Sequence, residues 1–378
     1  MEEIKKKSIL SLKLANYFVE TKKYKPIVVR NSINDVWFEN FHEKYKIIRI
    51  VIQPIKNDVQ LETDLNFAYR VKKNIEKNTF SLNTQMLNIY VNCEANIHNH
   101  YKNIEAIIVN SNQDLNNKAF SFYDDISSKV DLESFDENEQ QRLTDQIQIN
   151  ANMEFSKIRR LLESRKTPIV TYLLIAINFL AFGLMYIKGN GSEDIFTLVY
   201  YGALAKYLVV DNGEYFRLFT SAFLHIGYMH FIFNNYALFL LGKTTENLVG
   251  PVKFTIIYFM SVLLGSLLSI VFLPEALHAG ASAGIYGILG ALIYFGYNNR
   301  SVFGGLLRNN LVPVLLINLA ISFILPRVNA IGHIGGLIGG VITIMALGTL
   351  NADKNIRIHG ILATLILYSG LIYMIFLK

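Results

Sequence analysis

Only one cysteine, Cys93, occurs in 378 residues, so no intramolecular disulfide can form, and the domain carrying it suits a reducing compartment. Charge is scarce too: 17% of residues are charged against 52% hydrophobic, with a positive mean hydropathy. That balance suits a polytopic membrane protein carrying a soluble portion better than a wholly soluble enzyme. The stretch Met1 to Lys7 leads into an amphipathic segment without a signal-peptide core or cleavage site. The residues before the first apolar span, near Pro168, are therefore expected to stay in the cytosol. No nucleic-acid motif accompanies the net charge of +6, which is attributed largely to membrane-flanking lysines and arginines, and no nucleic-acid partner is expected. No internal repeat is evident.

What is present divides into two halves. The fold class expected is a polytopic α-helical membrane protein with an N-terminal soluble α/β domain at 1–128, a polar helical linker at 129–167, and membrane helices in 168–349 and 350–378. In the first domain Tyr45 to Ile52, Met86 to Val91 and Ile104 to Val109 are rich in β-branched residues and predict strands. Ile9 to Glu20 and Leu65 to Lys77 have helical spacing. Val130 to Lys166 predicts a helix or helical linker, with the basic run Lys157-Ile158-Arg159-Arg160 near its end. Cys93, His98 and His100 form Cys-x4-His-x-His, which invites a metal-sensing reading. A fourth ligand is lacking, so ordinary strand or loop residues are expected. If this domain regulates the membrane half, it would contact a cytosolic ligand or a client protein.

A bilayer core takes roughly 20 apolar residues per helix. Seven stretches qualify, some marginally: about 168–187, 226–242, 252–273, 281–297, 310–325, 331–349 and 358–377. With Arg159, Arg160, Arg165 and Lys166 inside, the inner loops hold Lys243, Lys253, Arg300, Arg308, Lys354 and Arg357, whereas Lys188, Lys206, Arg217 and Arg327 fall outside. In this orientation the second, fourth and sixth helices enter from the outer face. His230, Ser282 and His333 then lie near their outer ends, at similar depth.

Polar groups are expensive inside a bilayer, so that convergence points to function. Ser282, taken alone, would be a packing residue of a glycine-rich helix interface. Together with His333 it is the minimum equipment for an activated serine nucleophile. No aspartate or glutamate lies in the apolar part of the sixth helix, so a Ser–His dyad is expected in place of a three-member triad. Tyr286, one turn below Ser282 on the same face, is placed to pack on or orient the histidine ring. Gly336 and Gly340 share the His333 face and leave room for the serine helix. His230 and Asn234, four apart on one face, could form an oxyanion hole with the backbone N–H of Ser282. His225, at the outer start of that helix, is expected to brace the loop.

Taken together, His225…His230…Asn234, Gly280-Ala281-Ser282 with Tyr286, and the Gly-His-x-x-Gly-x-x-x-Gly helix at His333 resemble the rhomboid family of intramembrane serine proteases. Phe216-Arg217 stands where that family often has Trp-Arg, and Glu246 matches the acidic residue near the inner end of the second helix. The resemblance covers roughly 168–349 and implies a six-helix core, to which 350–378 adds a seventh helix as in some bacterial members. Two departures are Ala283, where the family pattern has glycine, and Phe216, which lacks the indole donor. Neither touches a matched catalytic position.

The resemblance implies cleavage of transmembrane segments of membrane proteins in the lipid bilayer, with no metal or other cofactor. It also implies a multi-pass cell-membrane location, with the site opening toward the outer face so that water can enter. A substrate helix must unwind before attack, because a helical amide has no exposed carbonyl, and small or helix-destabilising residues near the cleavage site would lower that cost. Other classes remain at this stage. One is a catalytically inactive rhomboid-like protein that binds membrane clients, although such proteins typically lose the serine or histidine and this chain has both. The other is a metal transporter lined by His225, His230 and His333, although no carboxylate lies at membrane depth to share the cation.

Overall fold

A computed structural model describes the chain except for residues 1, 28, 30–33, 42, 80, 98–100, 134–139, 148, 150–166, 325–327, 350–353, 377 and 378. His98, His100, Arg159, Arg160, Arg165, Lys166, Arg327 and most of the expected linker lie outside the described residues. The chain divides into two compact units, Met1–Arg160 and Leu161–Lys378.

The first unit is built on a five-stranded sheet of order β1-β2-β3-β4-β5, comprising Lys25–Ile27, Asp35–Glu39, Tyr45–Val51, Gln85–Tyr90 and Ile104–Ile108. β1, β2 and β3 pair antiparallel, while β3, β4 and β5 pair parallel. The crossover between β3 and β4 is the helix α2, Asp58–Thr79; α1, Glu2–Asn16, precedes the sheet and runs into a π-helical turn at Tyr17–Thr21. Both faces of β3 and β4 are covered. Ile48, Ile50, Leu87 and Ile89 join Leu10, Leu14 and Phe18 in one core, whereas Ile47, Val51, Met86 and Tyr90 join Leu61, Leu65 and Ala68 of α2 in the other. Strands sandwiched in this way read as continuous apolar runs, which is why these two were predictable. After the sheet a short helix, α3, Ile126–Lys129, leads to Val130 and Leu132, which the first core also encloses, so the unit runs past residue 128, where the sequence suggested its end.

Arg49 is buried on the α2 face of β3. Its Nε donates to Asp35 at 2.6 Å and its two terminal nitrogens donate to the Asp64 carboxylate at 2.7 and 2.8 Å. Tyr90 and Gln53 also donate to Asp64, at 2.7 and 2.8 Å, and Trp37 packs beside the guanidinium. Cys93 is a free thiol whose pKa burial pushes up.

In the second unit α4, Ile169–Ile187, is followed by three short helices: α5, Ile195–Tyr201; α6, Lys206–Val210; and α7, Arg217–Thr220. Next comes α8, Tyr228–Ala237, which continues through a π-helical turn at Leu238–Gly242 into α9, Lys243–Val249. Then follow α10, Pro251–Phe272; α11, Ser282–Asn298; α12, Arg300–Leu306; and, after a π-helical turn at Leu307–Leu311, α13, Val312–Ile324. α14, Ala330–Leu347, and α15, Lys354–Phe376, complete the unit. Five described helical spans are long and apolar enough to cross a membrane: Ile169–Ile187, Pro251–Phe272, Leu307–Ile324, Ala330–Leu347 and Lys354–Phe376. Of the seven stretches expected, the two outside this set are that of α11, with 17 residues, and that of α8 with the π-helical turn after it. The molecule is a polytopic α-helical membrane protein with an N-terminal α/β region.

Side-chain anchors set the helix directions. Glu246 of α9 accepts hydrogen bonds from the Val170 and Thr171 N–H groups at 3.0 and 2.8 Å, and from the Thr171 hydroxyl at 2.7 Å. A carboxylate thereby meets the first turn of α4, where the helix dipole favours it. Lys253, near the start of α10, donates to the Leu347 and Gly348 carbonyls at the end of α14, at 3.2 and 2.7 Å. The N-terminal ends of α8, α11 and α14 accordingly lie together at the opposite end. α11 and α14 run side by side in parallel: a Cβ on Gly336 would collide with the Ala283 carbonyl, and one on Gly340 with that of Gly287. Only glycine permits this backbone approach. The added helix α15 docks through Tyr368, whose hydroxyl donates to the Met260 carbonyl at 2.6 Å.

Candidate active site

Ser282 is the first residue of α11, His230 the third of α8 and His333 the fourth of α14. The backbone before Ser282 is tied down on both sides. Leu204 and His278 exchange two hydrogen bonds of 2.9 Å, and the Gly280 N–H donates to the Ser221 carbonyl at 2.9 Å. Gly280 itself has φ +139°, a conformation that L side chains rarely adopt. A Cβ there would stand 2.8 Å from His230 Nε2 and 3.7 Å from Ser282 Oγ, so glycine leaves the space between those two groups open.

His230 is held by a long hydrogen bond of 3.4 Å from the Ile226 N–H to its Nδ1. A nitrogen that accepts carries no proton, so in the neutral ring the proton sits on Nε2, the atom facing Gly280. Asn234 is buried one turn along, and its Nδ2 donates to the His230 carbonyl at 2.9 Å. One of its two amide protons is thereby used within α8, and the second remains for another acceptor. His225 is fully buried, its ring edge-on to His230 at 5.4 Å and to Phe231 at 5.5 Å between centroids.

His333 stacks on Tyr286, with ring centroids 4.3 Å apart and planes 13° from parallel. Since Tyr286 is one turn along α11 from Ser282, the imidazole is held one turn from the hydroxyl. Among the described hydrogen bonds none joins Ser282 to His333. The partner of His333 Nδ1 is instead the hydroxyl of Ser322, at 2.8 Å, a residue that the sequence analysis did not single out. Its signal was faint: Asn318 and Ser322 are spaced four apart in an otherwise apolar helix.

Arg217 is buried beneath the loop that precedes α8. It pairs with Glu214 through Nε at 2.6 Å and donates from Nη1 to the Val199 and Ala203 carbonyls at 2.7 and 3.0 Å. Phe216 beside it is exposed. Asn329 caps α14 by accepting from the Gly332 N–H at 2.8 Å and reaches Ser269 of α10 at 2.7 Å. Behind Ser282 lies a cavity of about 30 Å³, lined in part by Ser221, Ser266, Ser269, His278 and Asn329. It is polar and roomy enough for a water molecule. Among the described residues, no group of three or more His, Cys, Asp or Glu is placed to hold a metal ion.

With this geometry established, similarity to known proteins adds an independent line. The family model of the Rhomboid domain matches residues 212–349. The chain is 42% identical over 181 residues to Rhomboid protease GluP of Bacillus subtilis, a match covering 48% of this chain and 35% of that protein. It is 31% identical over 134 residues to YdcA of the same organism, a protein named for the same family, covering 35% of this chain and 67% of YdcA. It is also 28% identical over 144 residues to Inactive RHOMBOID-like protein 8 of Arabidopsis thaliana, covering 38% of this chain and 41% of that protein. The chain belongs to the rhomboid family.

Proposed function

We propose that the protein is an intramembrane serine endopeptidase acting on transmembrane segments of other membrane proteins. The observation that carries the reading is the seating of His333 on Tyr286, one turn from Ser282, by helices that approach backbone to backbone. In the proposed reaction the Ser282 hydroxyl attacks the scissile carbonyl while His333 Nε2 takes its proton. His333 then delivers that proton to the leaving amine, and a water hydrolyses the acyl-enzyme by the reverse proton route. The oxyanion is stabilised by His230 Nε2–H, the second Asn234 amide proton and the Ser282 N–H. The cavity behind Ser282 would supply the water. Arg217, His225, Tyr286 and Glu246 support the loop and helices that carry these groups. The substrates are helices that can unwind locally, and the cytosolic side carries the first unit, Lys253 and Arg308.

The test is cleavage of a model transmembrane substrate by wild type, Ser282→Ala and His333→Ala in detergent and in liposomes, with labelling by a fluorophosphonate in parallel. Cleavage and labelling by wild type alone support the reading. Cutting by Ser282→Ala would defeat the mechanism. A wild type that neither cuts nor labels would favour a client-binding protein without catalysis.

A further inference from the structure

Ser322 is the one buried residue among the described residues of α13, whose other side chains are half-buried or exposed. A helix that faces outward over nearly its whole length thus turns a single polar group inward, onto the imidazole of His333. Around that hydroxyl the structure places three neighbours: the Asn318 carbonyl at 2.7 Å, His333 Nδ1 at 2.8 Å and the Tyr286 hydroxyl at 3.2 Å.

Proton counting decides how these contacts are polarised. A serine hydroxyl has one proton and two lone pairs. The Asn318 carbonyl can only accept, so it takes the Ser322 proton in the usual back-bond to the residue four earlier in a helix. Both lone pairs remain, and the two other neighbours must donate to them: Tyr286 through its O–H and His333 through Nδ1–H. Every valence of the buried hydroxyl is then used, as buried polar groups require. A neutral imidazole that carries its proton on Nδ1 has its lone pair on Nε2.

We infer that Ser322 is a positioning residue that holds His333 as the Nδ1–H tautomer, leaving Nε2 as the basic nitrogen. It fills the place that a carboxylate occupies in a three-member triad, without a formal charge in the apolar interior. Tyr286 acts on the same ring twice, by stacking and by donating to the hydroxyl that orients it. Because Ser322 is the buried foothold of α13, the seating of that helix and the protonation pattern of the base are linked. The kinetic consequence rests on the protease reading above, but the tautomer does not.

The test combines two measurements on the full chain in detergent. The first is nitrogen-15 spectroscopy of histidine-labelled protein, with His333 assigned from the spectrum of His333→Gln. Wild type is expected to show a protonated Nδ1 and an unprotonated Nε2. Ser322→Ala is expected to lose that preference, and Ser322→Thr to keep it. The second is a KM-against-kcat split with thermal unfolding in parallel. Ser322→Ala is expected to lose roughly tenfold in kcat with KM and melting temperature little changed, and Ser322→Thr to recover most of the loss. An unprotonated Nδ1 in wild type overturns the inference. So does an Ser322→Ala variant with an unaltered tautomer, including one slowed only through a lowered melting temperature. If wild type neither cleaves nor labels at Ser282, the protease reading fails by itself, and the spectra still decide whether Ser322 sets the tautomer.

Discussion

In the first unit the buried cation Arg49 is enclosed by Asp35 and Asp64, with Tyr90 and Gln53 completing the second carboxylate. In the second unit the buried imidazole of His333 has an aromatic face and an uncharged hydroxyl for neighbours. Both arrangements place polar groups out of water, yet they differ in what they leave available. The Arg49 cluster ties its charged groups to one another, with three guanidinium hydrogen bonds to two carboxylates, so it specifies a packing. At the starts of α8, α11 and α14, the hydrogen bonds among the described residues leave open the Ser282 hydroxyl, the second Asn234 proton, and a ring nitrogen on each of His230 and His333. Mutual pairing builds a scaffold, and open groups at converging helix ends are what the proposed chemistry needs.

The largest effect that would sharpen this contrast is on activity. Ser282→Ala is expected to lower cleavage at least ~10³-fold while leaving the fold intact, because it removes one hydroxyl from an open site. Trp37, the sole tryptophan, is buried beside Arg49, so its fluorescence reports on the first unit within the full chain. That signal and the helical circular dichroism should both be unchanged in Ser282→Ala. A shifted thermal transition would mean that the serine serves packing.

The converse substitution is Asp64→Ala. It leaves Arg49 buried with Asp35 as its remaining carboxylate and strips Tyr90 and Gln53 of an acceptor. Breaking such a cluster costs about 3–5 kcal/mol. Urea unfolding followed by Trp37 should show the loss, with α14 and its neighbours keeping their helical signal. A loss below ~1 kcal/mol would show that the cluster contributes little to holding the first unit together.

Gly340→Ala tests the membrane unit by its own rule. The added methyl would meet the Gly287 carbonyl and backbone, which cannot yield as a flexible side chain does. Overpacking of this kind costs about 1–3 kcal/mol. Parting α11 from α14 also draws His333 away from Tyr286, so thermal stability in detergent and cleavage should fall together. A variant that lost neither would refute the tight approach.

Where the sequence was legible, a physical rule forced a pattern. β3 and β4 are apolar on both faces because helices cover both, and the glycines around Ser282 and His333 mark the close approach of α11 and α14. β1 and β2 escaped for the same kind of reason. β1 has three residues including Pro26 at the sheet edge, and β2 begins and ends on acidic residues, Asp35 and Glu39. The helical spacing points to Leu65–Lys77, but α2 starts earlier, at Asp58, and Leu61, buried one turn before Leu65, extends the same apolar face. Ser322 was hidden because a lone serine in an apolar helix looks like a back-bonded packing residue until the partner helix is in place. No local pattern announces that α13 turns it toward His333.

The smallest effect separates the units by pH. Asp125 accepts from the Tyr17 hydroxyl at 2.6 Å and pairs with Lys22 at 2.7 Å and Lys129 at 3.0 Å. The hydrogen bond from Lys22, followed by that from Tyr17, holds its carboxyl well below the usual aspartate range. A carboxyl whose pKa is depressed in the folded state adds stability above its unfolded pKa of about 4, and that stability is lost as pH falls toward the folded value. The site is near the surface, so water screens the gain to less than ~1 kcal/mol. Wild type should therefore exceed Asp125→Asn by that margin in Trp37-detected urea unfolding at neutral pH, and the gap should close as pH is lowered below 4 toward the folded pKa. A gap that persisted undiminished at the acid end would assign the difference to packing of the amide and not to the charge.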